Sequence, residues 1–152
     1  MRKSGAKEII DSLIYLTLAT VCEDNTAWNS PLYFTRDKDY NFYFGSPKNT
    51  VHSQNIRRNG QGFVVIYDTT MPEGTGEGVY FTANIKELNK PNEIKEAFKY
   101  MYKDQIDTVK VKDFIDNAPI RNYKITPTEV WMNDAELRNG IYMDYRIKID
   151  LR

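Results

Sequence analysis

Apolar and polar residues alternate along most of this chain and fall at helical spacing in only a few short stretches. The first such stretch is residues 6–14, where Ile9, Ile10, Leu13 and Ile14 share one side of a predicted amphipathic helix. Residues 15–22 then read as a strand, rich in β-branched and large apolar side chains. Glu23-Asp-Asn-Thr26 is a turn, since Asp and Asn tolerate the backbone angles a turn needs. Residues 27–35 form a second strand, 36–39 a turn and 40–44 a third strand, which together describe a meander of hairpins.

A polar stretch, Phe44-Gly-Ser-Pro-Lys-Asn-Thr-Val-His-Ser-Gln-Asn-Ile-Arg-Arg-Asn59, follows, with a short helix expected to start near Ser46 or Thr50. Gly60-Gln-Gly62 breaks it. Residues 63–67 are an almost wholly apolar strand, the pattern of one covered on both faces. Residues 68–76 hold Pro72, Gly74 and Gly76 and read as a loop. Residues 78–88 alternate Val79, Phe81, Ala83 and Ile85 against Tyr80, Thr82, Asn84 and Lys86. Asn89-Lys-Pro91 opens a helix carrying Ile94, Ala97, Phe98 and Met101 on one side, and a shorter helix is expected over 111–115. Strand pieces at 122–125 and 129–132 flank Pro127, and 141–149 alternates from Ile141 to Ile149. The pattern predicts a mainly β domain of six or seven antiparallel strands with short flanking helices. Closure into a small barrel would remove the free sheet edges.

A length of 152 residues fits one domain spanning 1–152, with no repeat or linker. Aromatic residues at 13 %, 11 of them Tyr, favour sheet. Lys plus Arg and Asp plus Glu number 21 each, which argues against a nucleic-acid partner. The single Cys22 excludes an intrachain disulfide and a cysteine-based zinc site, and suits a reducing compartment. No apolar run reaches membrane-spanning length and no signal-peptide core follows the first residues, so a cytoplasmic protein without a membrane partner is expected.

The candidate chemistry centres on His52, the one histidine. A helix starting near Thr50 directs free main-chain N–H groups, hydroxyls, Lys48 and His52 toward one spot, which is the physics of an anion site. The bland alternative is a surface histidine in a polar helix. Arg57-Arg58 reads as a solvated helix end, Cys22 as packing, and Trp28 and Trp131 as core or interface aromatics. One His and one Cys, without metal-ligand spacing, leave metal-centred and triad chemistry without parts, and no catalytic residue is assigned.

Several motifs, in order, resemble the pyridoxamine 5′-phosphate oxidase-like, FMN-binding split-barrel superfamily. Tyr15-Leu-Thr-Leu-Ala-Thr-Val21 is similar to its opening strand, and Trp28-Asn-Ser-Pro-Leu-Tyr-Phe34 to the strand laid along the flavin ring. His52-Ser-Gln-Asn-Ile-Arg-Arg-Asn59 resembles the helix after its phosphate site. Phe63-Val-Val-Ile-Tyr-Asp68, with Met71-Pro-Glu-Gly-Thr-Gly-Glu-Gly-Val-Tyr80, resembles a small-protein branch, and Thr128-Glu-Val-Trp131 and Asp144-Tyr-Arg146 its closing strands.

The resemblance implies a homodimer with FMN at the interface, and a flavin-dependent oxidoreductase acting on a small molecule with a donor such as NAD(P)H. The superfamily also holds deazaflavin and haem proteins, so a non-catalytic flavin, deazaflavin or haem-binding module is the alternative. Carried across, Asn29, Ser30, Pro31 and Leu32 fall where the ring-contacting backbone runs, and Lys48, Thr50, Val51 and His52 where the phosphate is gripped. Glu77 stands where the family usually has Gln, Trp131 near an aromatic at the flavin, and Arg146 near a basic residue of the last strand. Val51 offers no side-chain donor where the family has a cation, and Glu77 brings a carboxylate that repels phosphate.

Overall fold

The computed structural model describes residues 2–152 as one eight-stranded antiparallel sheet curled around a core, with three α-helices against it. Helix α1 (Arg2–Ser12) starts a turn earlier than its apolar spacing shows, because that spacing begins only at Ala6. Ala6 and Ile10, one helical turn apart, are its fully buried contacts. It ends where the Ser12 hydroxyl bonds back to the Ile9 carbonyl at 3.1 Å.

Strands β1 (Tyr15–Val21) and β2 (Ala27–Tyr33) form the first hairpin. The expected run to residue 35 is interrupted at Phe34, so Thr35–Arg36 becomes a separate two-residue strand, β3, paired with β4 (Phe42–Pro47). Strand β4 begins two residues later than its apolar run. Tyr40 takes a left-handed φ of 58°, and Asn41 is held in the turn by the buried Asp37 carboxylate at 2.9 and 2.8 Å.

Helix α2 (Val51–Asn59) is capped by Thr50, whose hydroxyl accepts from Ser53 N. Gly60, at φ 67°, closes it by donating its N–H to Ile56 O. Strand β5 (Gln61–Tyr67) therefore starts before Phe63 and includes Gly62, where a Cβ would sit 2.7 Å from Ile85 Cδ1 and 2.9 Å from Ala19 O. Strand β6 (Gly78–Glu87) and helix α3 (Pro91–Met101) lie as their patterns predict. The short helix expected at 111–115 is a 3₁₀ turn, Val111–Phe114.

The two strand pieces around Pro127 are one strand, β7 (Ile120–Arg138), which pairs with β6 along one edge. Its other edge meets β4 over Ile120–Ile125 and then β8 (Ile141–Ile149) from Val130 onward. Pro127 sits between those partners and at a register shift opposite Thr82 and Ala83, where its missing N–H costs no ladder bond.

Strand order is β2-β1-β5-β6-β7-β4-β3, with β8 beside the second half of β7. Strands β2 and β4 face each other without pairing, which is the split in the barrel. Leu16, Leu18, Phe42, Phe44, Val64, Ile66, Val79, Phe81, Tyr123 and Ile125 fill the interior. Phe44 stacks on Tyr123 at 4.7 Å and Phe42 on Phe81 at 5.1 Å. A second apolar cluster, with Ile94, Ala97 and Phe98, seats α3 over Tyr43 and Leu88.

Two apolar patterns are not covered as their sequence suggests. The outer face of β5 stays open: Phe63 and Val65 are half-buried and Tyr67 is 46 % exposed. The β7–β8 hairpin outruns the barrel, leaving Leu137, Ile141, Tyr142 and Met143 exposed. No helix is long and apolar enough to cross a membrane.

Candidate functional site

Helix α2 plugs one end of the barrel, and its first turn lies at the split. His52 is buried there, at 8 % exposure. Its Nδ1 is 3.2 Å from Ser30 Oγ on β2 and its Nε2 is 2.8 Å from Ser46 Oγ on β4. A neutral imidazole has one donor and one acceptor, and a hydroxyl can meet either, so both nitrogens are satisfied across the gap. Burial holds the imidazole below the ordinary histidine range, favouring the neutral ring. The ring expected at a phosphate instead clasps the two unpaired strands. Ser30, expected along the flavin ring, points inward to it, and Leu32 is buried in the core.

The other cations of this end are also engaged. Lys48 Nζ reaches the Asp116 carbonyl at 3.4 Å. Arg57, expected to be solvated, pairs with Glu87 at 2.6 Å and donates to Lys48 O. Arg58 donates to Val21 O. Glu87 also accepts from the Tyr123 hydroxyl at 3.0 Å, and the buried Arg121 guanidinium lies 3.6 Å away. The Thr50 hydroxyl lies 2.8 Å from Ser53 Oγ, which donates to Pro47 O. Val51 lines a cavity of about 590 Å³ with Cys22, Glu23, Asp24, Thr26 and Trp28.

Strand β2 pairs with β1 alone. Alternate main-chain N–H and C=O groups along it therefore face the open edge, and the outward side chains include Asn29 and Pro31. Register carries this outer face across the sheet. Pro31 lies opposite Thr17, Thr17 opposite Val65, Val65 opposite Tyr80, Tyr80 opposite Trp131, and Trp131 opposite Lys148. Arg146 lies over the Tyr80 ring at 4.3 Å and the Phe63 ring at 5.4 Å, and Phe63 stacks on Trp131 at 6.4 Å. Four strand spacings separate Pro31 from Trp131, roughly 19 Å along the sheet. A ring system seated on β2 thus spans only part of the way to Trp131 and Arg146 of the same copy.

Glu77 belongs to a third place. It precedes β6 at the end of the barrel opposite α2, exposed in a cavity of about 280 Å³ with Glu8, Asp68 and Met71. The expected residues therefore form three groups: Asn29 and Pro31 beside the α2 start, Trp131 and Arg146 on the outer face, and Glu77 at the far end. Sequence reasoning missed Glu23 and Asp24, which looked like turn residues, and Ser46 as the partner of His52. Among the described residues no cluster of three or more His, Cys, Asp or Glu could hold a metal ion.

No family model matches this chain, and no curated protein does. Solved structures do. A candidate pyridoxamine 5′-phosphate oxidase of Listeria innocua superposes with a TM-score of 0.64 at 18 % identity, covering 86 % of this chain and 96 % of that one. An F420 reductase gives 0.59 at 20 % identity, covering 83 % and 95 %. A heme binding protein of Mycobacterium smegmatis gives 0.66 at 14 % identity, covering 95 % of this chain and 57 % of that one. At these identities the likeness shows the fold alone: the chain shares the split-barrel architecture of those structures.

Proposed function

We propose that this chain binds a flavin, FMN or a close relative, on the open side of β2, and serves as an oxidoreductase for a small molecule. Two copies would complete the site between them. The carrying observation is the uncovered outer face, which starts at the free edge of β2 and runs through aromatic residues to Trp131 and Arg146. Main-chain groups of β2 suit the hydrogen-bonding rim of an isoalloxazine ring, and the outer face of Asn29, Pro31 and Tyr33 suits its flat surface. The span from Pro31 to Trp131 supports a second copy as the source of the aromatic and the guanidinium that meet the ring from the other side.

The ring end of this cofactor fits the residues present, and the phosphate end does not. A bound flavin would supply the redox chemistry. The chain's own part is to orient the ring along β2, to cover it with Trp131 and to exclude water. The one histidine has both ring nitrogens bonded within the fold and is not free for acid–base chemistry. Solved split barrels described as F420 reductase and heme binding protein support a deazaflavin or haem holder as the second reading. Against histidine-ligated haem stands His52, whose two nitrogens are both bonded.

The visible absorption spectrum of freshly purified protein tests the proposal. A flavin band, released on denaturation and identified by mass, is expected, with bleaching by NADH or NADPH under argon marking an enzyme. A Soret band, or a colourless protein that takes up no added FMN, contradicts it.

A further inference from the structure

The α2 end of the barrel is poorly built for a dianion. His52 is bonded at both nitrogens, and burial disfavours its charged form. Lys48, Arg57 and Arg58 are bound to carbonyls or to Glu87. Position 51, which lines the same cavity as Trp28, is a valine. The start of α2 offers main-chain N–H groups. The same cavity is lined by the carboxylates of Glu23 and Asp24. Asp24 is firmly charged, because the hydroxyl and N–H of Thr26 bond its Oδ1 at 2.6 and 3.1 Å and lower its pKa. A phosphate here would meet at most the two free N–H groups of Val51 and His52, since Ser53 N is taken by the Thr50 cap, and would face the carboxylates of Glu23 and Asp24, whose charge Arg58 offsets only in part.

We infer that this site binds the flavin through its ring and ribityl chain and does not select for the phosphate, so riboflavin is as good a ligand as FMN. This rests on the flavin reading above and adds the ligand's class: a neutral tricyclic ring with a polyol tail. Hydroxyls of such a tail can donate to Glu23 and Asp24 and accept from the first N–H groups of α2, which a phosphate does only in part.

Titration of cofactor-stripped protein with FMN and with riboflavin, followed by quenching of flavin fluorescence, tests this. Dissociation constants within about threefold of each other are expected at moderate salt, where surface charges are partly screened. FMN tighter by about tenfold or more overturns the inference, since that is the signature of a charge-assisted phosphate grip. Val51→Arg supplies the missing cation on a half-buried surface position. It should tighten FMN by about tenfold and leave riboflavin unchanged. Glu23→Gln with Asp24→Asn should favour FMN in the same direction. If neither change separates the two ligands, the phosphate lies away from this cavity and the inference falls. If wild-type protein binds neither ligand, the flavin reading itself is wrong.

Discussion

At the residue scale, His52 shows how a chemically suggestive side chain can be spent on the fold. Its isolation in the sequence marked it as a candidate. Its role was not legible, because the partners are two serines 22 and 6 positions away on strands that do not pair. His52→Ala removes the clasp and leaves both hydroxyls without their ring partner. A loss of about 1–3 kcal/mol in urea denaturation is expected. His52→Gln, which can span part of the gap, should lose less.

The same residue gives a pH dependence. Its folded pKa lies below the unfolded value, so the unfolded chain binds more protons between the two. Stability should be at its plateau above about pH 6.5, the ordinary histidine value, and fall as pH drops toward the folded pKa. His52→Ala should abolish that part of the slope. A wild-type denaturation midpoint that is flat from pH 7.5 to the onset of carboxylate titration would contradict the neutral, buried ring.

At the element scale, α2 is fastened at both ends. Thr50 and the His52 clasp hold its start, and Glu87 holds its end through Arg57, with Tyr123 and Arg121 converging on the same carboxylate. Glu87→Gln keeps the shape and weakens three charge-assisted contacts. It should cost about 1.5–3 kcal/mol and raise amide exchange in the last turn of α2 ahead of the barrel strands. Gly62→Ala tests the close approach of β5 to β6 and β1. A Cβ at 2.7–2.9 Å from its neighbours predicts a loss of about 1–3 kcal/mol, read as a lower melting temperature.

Elements with strong alternation were legible nearly to the residue: β1, β6 and β8 occupy the runs their patterns marked. Boundaries set by tertiary contacts were not. Pro127 looked like a break because its missing N–H forbids an ordinary central strand. Only the change of partner from β4 to β8 and the bulge opposite Thr82 make one continuous β7 there. Glu77, aligned by motif with a cofactor residue, lies at the opposite end of β6 from α2, a separation that no local pattern reveals.

At the scale of the whole molecule, the sheet has a filled inner face and an outer face that α3 covers over Tyr43 and Leu88 but leaves open from β2 through β5. Strand β5 is apolar on both sides, yet only its inner side is fully buried. Exposed Tyr15, Tyr33 and Tyr67 with the half-buried Phe63, Val65, Tyr80 and Trp131 make a face of the kind that a second copy covers. The sequence held this information as an aromatic surplus and an all-apolar strand, but location on one surface came only with the register.

The central claim is a flavin held between two copies on that surface. Size-exclusion chromatography with light scattering and in-line flavin absorbance, at micromolar protein, reads both parts at once. The account predicts flavin absorbance coinciding with a species of twice the 17.8 kDa chain mass. Flavin carried tightly by a species of 17.8 kDa would contradict it.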